Sequence, residues 1–412
     1  MAVIRPFAAL RPSEKYAEKV ISLPYDVMNR SEALKLSQGN PLSFLHISRS
    51  EIDLPHIENP HHPEVYRQSK QKLDEFVFRG ILVREEQPCL YIYRQTMNGR
   101  SQTGIAGCVS IDEYLDGTIR RHELTLVEKE QDRIHHFDAC SANTEPVFLT
   151  YRHSAEIHDF TEDWIQNHAP VYDLIDVHSV GHTLWVVDDP KKIEGMAECF
   201  HRIPTLYIAD GHHRSASAVK VGMKRREEKP HYDGSEEFNY FMAVIFPDSD
   251  LKLYDYNRVV KDLNGMSKEE FLTALSSSFR IEKMSEAPFD PDEPHVFSMF
   301  LERSWYRLSA KDGILSSHII QGLDVSILQN HVLEPLLGIR DPRTDSRIEF
   351  VGGIHGMEEL ERRTETDMAV AFALYPVSME DMLTASDQNE TMPPKSTWFE
   401  PKLGSGLFIH ML

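Results

Sequence analysis

The residues best suited to chemistry lie in one run, Pro204-Thr205-Leu206-Tyr207-Ile208-Ala209-Asp210-Gly211-His212-His213-Arg214. An apolar stretch of strand formers ends in Asp-Gly. Three side chains able to carry positive charge follow, and then the helix-permissive Ser215-Ala216-Ser217-Ala218-Val219-Lys220. This order predicts a strand, a tight turn and a helix start. The first turn of a helix presents unpaired backbone N–H groups and a partial positive charge. With Gly211 in the turn and His212, His213 and Arg214 beside it, that end becomes an anion site suited to phosphate. Asp210, at the strand end, is set to hold a divalent cation or to orient His212. Asp-Gly is also a common turn, and histidines often serve structure. Five consecutive residues of functional type at a strand–helix junction favour the chemical reading.

Two more segments carry reactive types. Arg120-Arg121-His122-Glu123-Leu124-Thr125 is followed by Lys129, Asp132 and Arg133. A His–Glu pair among cations suits a carboxylate base next to phosphate-binding charge. It is not the H-E-x-x-H of zinc proteases, because position 126 is Leu. On spacing alone, a solvated charged loop or helix start is the simpler reading. Met392-Pro393-Pro394-Lys395-Ser396-Thr397-Trp398-Phe399-Glu400-Pro401-Lys402 combines a restricted backbone with a cation and two hydroxyls, Lys395, Ser396 and Thr397. That set suits a phosphate clamp, although it lacks the glycines of a P-loop. A tail with a few turns explains it more simply. Arg258, in Asp255-Tyr256-Asn257-Arg258 between two apolar runs, is expected at a strand end facing a pocket, where it would hold a substrate carboxylate. A surface salt bridge explains it equally. His56, His61 and His62 have no spaced carboxylate or Cys partner, so no metal site is read there. Tyr25, Asp26, Glu51 and Asp53 read as polar turn or loop residues.

Composition narrows the class. A chain of 412 residues is long enough for two or three domains. Its apolar runs are too short for a membrane span, and Met1-Ala2-Val3-Ile4-Arg5-Pro6 has no signal-peptide pattern. Cys89, Cys108, Cys140 and Cys199 are widely spaced, which fits reduced thiols and a cytoplasmic location. Net charge is −21, from 44 basic and 65 acidic residues, and this disfavours nucleic acid as a partner. Base rates alone point to a homodimer.

The elements expected to position these residues are mixed. A short strand is expected over 3–10 and helices over 32–38 and 64–79. Strands over 89–97 and 102–111 flank Asn98-Gly99, a strong hairpin signal. The middle third alternates a helix (160–168), a strand (182–188), a helix (190–201), a strand (204–209), a helix (212–228) and a strand (241–246). Helices near 267–279, 324–336 and 377–387 and a strand near 368–374 complete the reading. It gives an α+β domain over 1–118 followed by a region of alternating helices and strands.

The whole chain resembles a bacterial family of unknown function, the DUF ten-fifteen family. The likeness rests on Arg5-Pro6-Phe7, Arg11-Pro12, Pro24-Tyr25-Asp26-Val27, Asn40-Pro41, His122-Glu123, Asp210 to Arg214 and Pro394-Lys395-Ser396-Thr397. Over residues 119–412 three of these motifs also resemble, in the same order, those of archaeal free-serine kinases. Those enzymes have a ParB/sulfiredoxin-like fold. The resemblance implies a mixed α/β protein with that core as the catalytic domain over 119–260, a C-terminal region over 261–412 that completes the active site, and an extra N-terminal α+β domain over 1–118. It implies phosphoryl transfer to the hydroxyl of free serine or a similar small hydroxy acid, such as lactate or glycerate. Glu123 would be the general base, with His122 beside the substrate. Asp210 would bind Mg²⁺ or orient His212. Gly211, His213, Arg214, Lys395, Ser396 and Thr397 would hold phosphate. The donor stays open among ADP, ATP and pyrophosphate. Two other readings remain: a metal-dependent phosphohydrolase using Asp210, His212 and His213, and a ParB-like nucleotide-binding switch without turnover.

Overall fold

Asn98 and Gly99 both have left-handed backbone, with φ of 52° and 77°. That is the twist a two-residue hairpin turn needs, and they join the first long strands of the structure, a computed structural model describing residues 1–285 and 288–412. The chain divides into two units, one of Met1–Arg121, Thr125–Leu251 and Pro401–Leu412, the other of His122–Leu124 and Lys252–Glu400.

The first unit is built on an eight-stranded mixed sheet. Its strands are β1 (Leu90–Met97), β2 (Arg100–Ser110), β3 (Ile119–Arg120), β4 (Val147–Tyr151), β5 (Tyr172–Ile175), β6 (Gly181–Val187), β7 (Leu206–Asp210) and β8 (Tyr240–Pro247). They lie in the order β3-β7-β4-β8-β2-β1-β6-β5. The parallel pairs β7–β3 and β8–β4 adjoin the antiparallel pair β7–β4. Strands from both sides of residue 118 therefore share one sheet. The longer helices of this unit are α1 (Pro63–Phe78), α2 (Val127–Cys140), α3 (Ala155–Asn167), α4 (Pro190–His201) and α5 (His212–Glu228). The core joins Ile105, Val147, Leu149, Leu206, Ile208, Phe241 and Ile245 of the sheet to Ala218, Val219 and Val221 of α5. Full burial of each large apolar side chain contributes about 1.5–3 kcal/mol.

The second unit carries a six-stranded sheet of β9 (Tyr256–Val260), β10 (Phe279–Lys283), β11 (Val296–Leu301), β12 (Ser304–Ala310), β13 (Ile348–Gly352) and β14 (Val370–Ala373). Their order is β10-β12-β11-β14-β9-β13, and every pair is antiparallel. The helix α6 (Gly356–Thr366) buries Met357 and Leu360 against Val259, Phe300 and Ala371.

The fold is mixed α/β, as expected. Several local expectations need correction. Residues 3–10 make isolated bridges, Arg5 to Cys108 and Phe7 to Cys89, and the only regular strand there is Leu10–Pro12. The early helix, Arg30–Ser37, is capped by Asn29 in a capping box with Glu32. Over 324–336 an α-helical turn, Asp324–Leu328, passes into a π-helix, Gln329–Leu333. The charged run after Leu126 forms α2, and its polar letters hid the helix. Among the described residues no helix is long and apolar enough to cross a membrane. All four cysteines are free thiols.

Close approach of α5 depends on Gly222. A Cβ there would meet the Phe238 carbonyl at 2.4 Å and Ile111 Cδ1 at 2.8 Å. Gly222→Ala should therefore destabilise the protein by about 1–3 kcal/mol, although alanine favours helix. Chemical denaturation of the two proteins measures the difference.

Candidate functional site

β7 reaches Asp210 through a bulge. Ile208 pairs with Leu149, yet Asp210 pairs with Phe148, so Ala209 is an extra residue. A bulge bends its strand and re-aims the side chains beside it. Gly211 follows at φ +93° as the N-cap of α5. A Cβ on Gly211 would lie 3.2 Å from Arg214 Cζ. Glycine thus supplies the left-handed turn and leaves room for the guanidinium beneath it.

Arg214 is 1% exposed. Its Nη1 donates to the Pro146 carbonyl at 2.5 Å, and its Nη2 lies 3.4 Å from Asp210 Oδ2 and 3.7 Å from Asp26 Oδ2. Burial works against its charge, but Asp26, Asp210 and Glu145 outweigh burial and raise its pKa. Asp210 Oδ1 accepts the Gly211 N–H at 3.0 Å, and its Oδ2 also faces Lys402 Nζ at 3.5 Å. His212 is buried, and burial pushes its pKa down to about 3, so its imidazole is neutral at pH 7. His213 Nε2 accepts the Leu126 N–H at 3.0 Å, which puts the ring proton on Nδ1. Leu126 is the N-cap of α2, so His213 ties the starts of α2 and α5 together.

In the second unit, Arg258 lies on β9 and is buried. Its Nη1 donates to the Tyr256 carbonyl. Its Nη2 donates to the carbonyls of Lys395 at 2.8 Å and Pro394 at 3.4 Å. Burial lowers its pKa to about 10, with Tyr256 and Glu123 opposing the shift. Lys395 has φ +57°, and its Nζ lies 5.5 Å from the Tyr256 ring centroid. Ser396 Oγ donates to the Pro393 carbonyl at 2.5 Å. Thr397 Oγ1 hydrogen-bonds His122 Nε2 at 3.2 Å, and the His122 carbonyl accepts the Met392 N–H at 2.8 Å. His122 thereby fixes both ends of the 392–397 turn.

Glu123 and Arg258 line one pocket of about 340 Å³ in this unit, with Gln329, Arg340, Asp341, Arg343 and Pro394. Arg343 is bound bidentate to Asp341, at 2.9 and 2.8 Å. The structure thus brings Asp210, Gly211 and Arg214 together in the first unit. In the second it brings Glu123 and Arg258 to one pocket, and His122, Lys395, Ser396 and Thr397 to one turn. Sequence reasoning missed Asp26, Glu145, Lys402 and Arg340. Asp26 sat in the quoted Pro24–Val27 motif and Lys402 ended the quoted C-terminal run. Nothing local marked Glu145 or Arg340.

A divalent cation has a fitting donor. Mg²⁺ is commonly held through one or two carboxylates, with phosphate oxygens and water completing its shell. Asp210 and Asp26 bring two carboxylates to one guanidinium, that of Arg214.

The family described as "Protein of unknown function (DUF1015)" matches residues 4–326. The chain belongs to that family. No curated protein matches this DUF1015 member. Among solved structures it is similar to a conserved hypothetical protein from Pyrococcus furiosus, at 12% identity and TM-score 0.37, covering 74% of this chain and 95% of that one. It is similar to SbnI with a C-terminal truncation from Staphylococcus aureus, at 12% identity and TM-score 0.40, covering 74% and 87%. It is also similar to a free serine kinase in complex with AMP, at 12% identity and TM-score 0.37, covering 73% and 92%.

Two predictions follow from these environments. Arg214→Ala removes the buried guanidinium that Asp210, Asp26 and the Pro146 carbonyl face and should cost about 3–5 kcal/mol in denaturation. Arg214→Lys should recover only part of that, because an ammonium cannot reproduce the planar fork. The second concerns acid. His212 and His136 are both held neutral by burial down to about pH 3. Between 6.5 and 3 the unfolded imidazoles bind protons that the folded ones do not, so stability falls as pH drops through that window. His136→Asn should make the fall shallower, as read by denaturation at pH 7 and pH 4.5.

Proposed function

We propose that this protein is a small-molecule phosphotransferase acting on the hydroxyl of serine or a similar small hydroxy acid. The observation that carries the reading is the second unit's pocket, which holds the Glu123 carboxylate together with Arg258 and Arg340. A pocket of about 340 Å³ suits a metabolite of that size. A carboxylate beside guanidinium groups suits a substrate bearing both a hydroxyl and a carboxylate. The order of the three sequence motifs supports the same chemistry.

On this reading Glu123 removes the acceptor's hydroxyl proton as the oxygen attacks the terminal phosphorus of the donor. A P–O bond forms to the acceptor, the P–O bond to the leaving group breaks, and the proton stays on Glu123 until release. In the first unit the Asp210–Arg214 turn suits phosphate, since the first-turn amides of α5 and Lys402 contribute positive potential there. Asp210, with Asp26, would hold Mg²⁺, which when bound neutralises phosphate charge. Arg214, its donors turned to protein acceptors, holds Asp210 and the turn in place. His212 is neutral at pH 7 and adds no charge there. Lys395, Ser396 and Thr397 serve phosphate or carboxylate through the turn that Arg258 and His122 brace.

Phosphorus NMR with Mg²⁺ tests the reading. ADP, ATP and pyrophosphate are offered separately, each with L-serine, D-lactate or D-glycerate. A new phosphomonoester that requires both donor and acceptor is expected. Glu123→Gln should abolish it while folding and nucleotide binding stay nearly unchanged. Inorganic phosphate appearing without acceptor would mean hydrolase chemistry. Bound nucleotide with no product would mean a switch.

A further inference from the structure

The charges lining the Glu123 pocket do not balance. Three guanidinium groups, of Arg258, Arg340 and Arg343, share it with two carboxylates, of Glu123 and Asp341. Asp341 and Arg343 answer each other through their bidentate pair, and Asp341 also accepts the Arg343 N–H at 3.0 Å. Arg258 is buried, with its Nη groups on carbonyls. Arg340 differs from both. It is exposed, and among the described residues its guanidinium makes no hydrogen bond or ion pair. Its backbone, by contrast, is held: Gln329 Nε2 donates to the Ile339 carbonyl at 2.9 Å and lies 3.5 Å from that of Arg340. Gln329 opens the π-helix Gln329–Leu333, a distortion frequent at functional sites. An entering acceptor therefore meets one accessible guanidinium without a partner, the charge of a buried one, and Glu123 as the carboxylate outside the Asp341–Arg343 pair.

This imbalance distinguishes two kinds of acceptor that the proposed reaction admits. A hydroxy acid without an amine, such as glycerate, is a monoanion. Its carboxylate fits the two-bond fork of Arg340, and its net charge answers the excess positive charge of the wall. Serine is a zwitterion. Its ammonium needs an acidic partner, and Asp341 is spent on Arg343, which leaves Glu123. An ammonium seated there would favour the ionised carboxylate and make it a poorer proton acceptor. Placed elsewhere in the pocket, the ammonium would face Arg258 and Arg340 and be repelled. Two neutral carbonyls that could take it are already occupied: Pro393 accepts Ser396 Oγ, and Pro394 accepts Arg258 Nη2.

We infer that the acceptor is a small hydroxy acid lacking an ammonium group, held through its carboxylate by Arg340, and that serine is selected against. The inference rests on the phosphotransferase reading for the fate of the hydroxyl. The charge preference belongs to binding and is measured without turnover.

Calorimetry on the full chain without donor tests it. Two monoanions, 3-hydroxypropanoate and glycerate, are compared with L-serine; the first is serine without its ammonium, the second carries a hydroxyl in its place. Both monoanions should bind at least about tenfold tighter than serine. Arg340→Gln should weaken their binding by about 10–100-fold, the loss of a charge-assisted contact, and narrow the preference over serine. Arg340→Lys keeps the charge without the fork and should recover part of the loss. Neither variant should melt below the wild type, because Arg340 is exposed and holds nothing in the fold. In turnover with Mg²⁺ and a nucleotide donor, the Arg340→Gln defect toward glycerate should appear in KM more than in kcat. Serine binding as tightly as the monoanions overturns the inference. So does an Arg340→Gln protein that binds the monoanions unchanged, or a wild type that binds none of the three. Glycerate that binds through Arg340 but gives no phosphomonoester with any donor upholds the charge preference and overturns the phosphotransferase reading instead.

Discussion

The first unit depends on burying one guanidinium. Arg214 sits beneath the turn that joins β7 to α5, where a charge without partners could not be sustained. Its fork must find acceptors, and it takes them from three directions: the Pro146 carbonyl before β4, Asp210 at the end of β7, and Asp26 from the N-terminal region. Each contact fixes a different stretch of chain. The missing side chain at Gly211 and the bulge at Ala209 follow from the same requirement, since both shape the strand end around the guanidinium. Glu145 extends the network. Burial raises its carboxyl's pKa against the pull of Arg214 and Arg133, and it accepts the Tyr25 N–H at 3.0 Å and the Ser405 hydroxyl at 2.8 Å. Residues 25, 145, 214 and 405 are thus held by one set of charges.

The second unit also buries an arginine, and the contrast is instructive. Arg258 meets neutral carbonyls where Arg214 meets carboxylates. The same side chain, equally removed from water, therefore shifts in opposite directions: Arg214 upward and Arg258 down to about 10. A guanidinium bonded to carbonyls keeps its charge at neutral pH, and of the carboxylates only Glu123 acts on it, too weakly to offset burial. That positive charge sits in the wall of the Glu123 pocket. On the proposed reading it draws the acceptor's carboxylate even though its Nη groups are already committed to the 394–395 turn.

Much of the frame was legible from local chemistry. Strong signals held where short-range physics decides: the Asn98-Gly99 hairpin, the Pro190–His201 helix with proline in its first turn, and the strand–turn–helix around Asp210. The signal failed where tertiary contact decides. Helix α2 begins in a run of charged residues because Glu130, Arg133 and His136 are buried among partners from distant segments. Four strands of the second sheet, β10 to β13, were not read, since their short apolar runs gain meaning only once neighbours pair with them, and Arg258, expected at a strand end, lies in the middle of β9. The His122-Glu123 pair lies in irregular backbone, and its local letters gave no hint that His122 would close a turn 275 residues away.

The motifs also misdirect in an orderly way. Residues chosen as phosphate ligands because they carry charge or hydroxyls are in several cases spent on the protein itself. Arg214 is ringed by acceptors, His213 takes a backbone N–H, and the Ser396 hydroxyl is turned to a carbonyl. This follows from where motifs of this kind sit. A strand–helix junction or a proline-bound turn places many polar backbone groups in a small buried volume, and they must be satisfied before any ligand is considered. Positive charge also comes from residues the motif reading passed over: Lys402, at the end of the quoted C-terminal run, faces Asp210, and Arg340, which no motif marked, lines the Glu123 pocket. Each reaches its position through the path of the chain and not through local spacing, so on the proposed reading the motifs build the socket and such residues complete its charge.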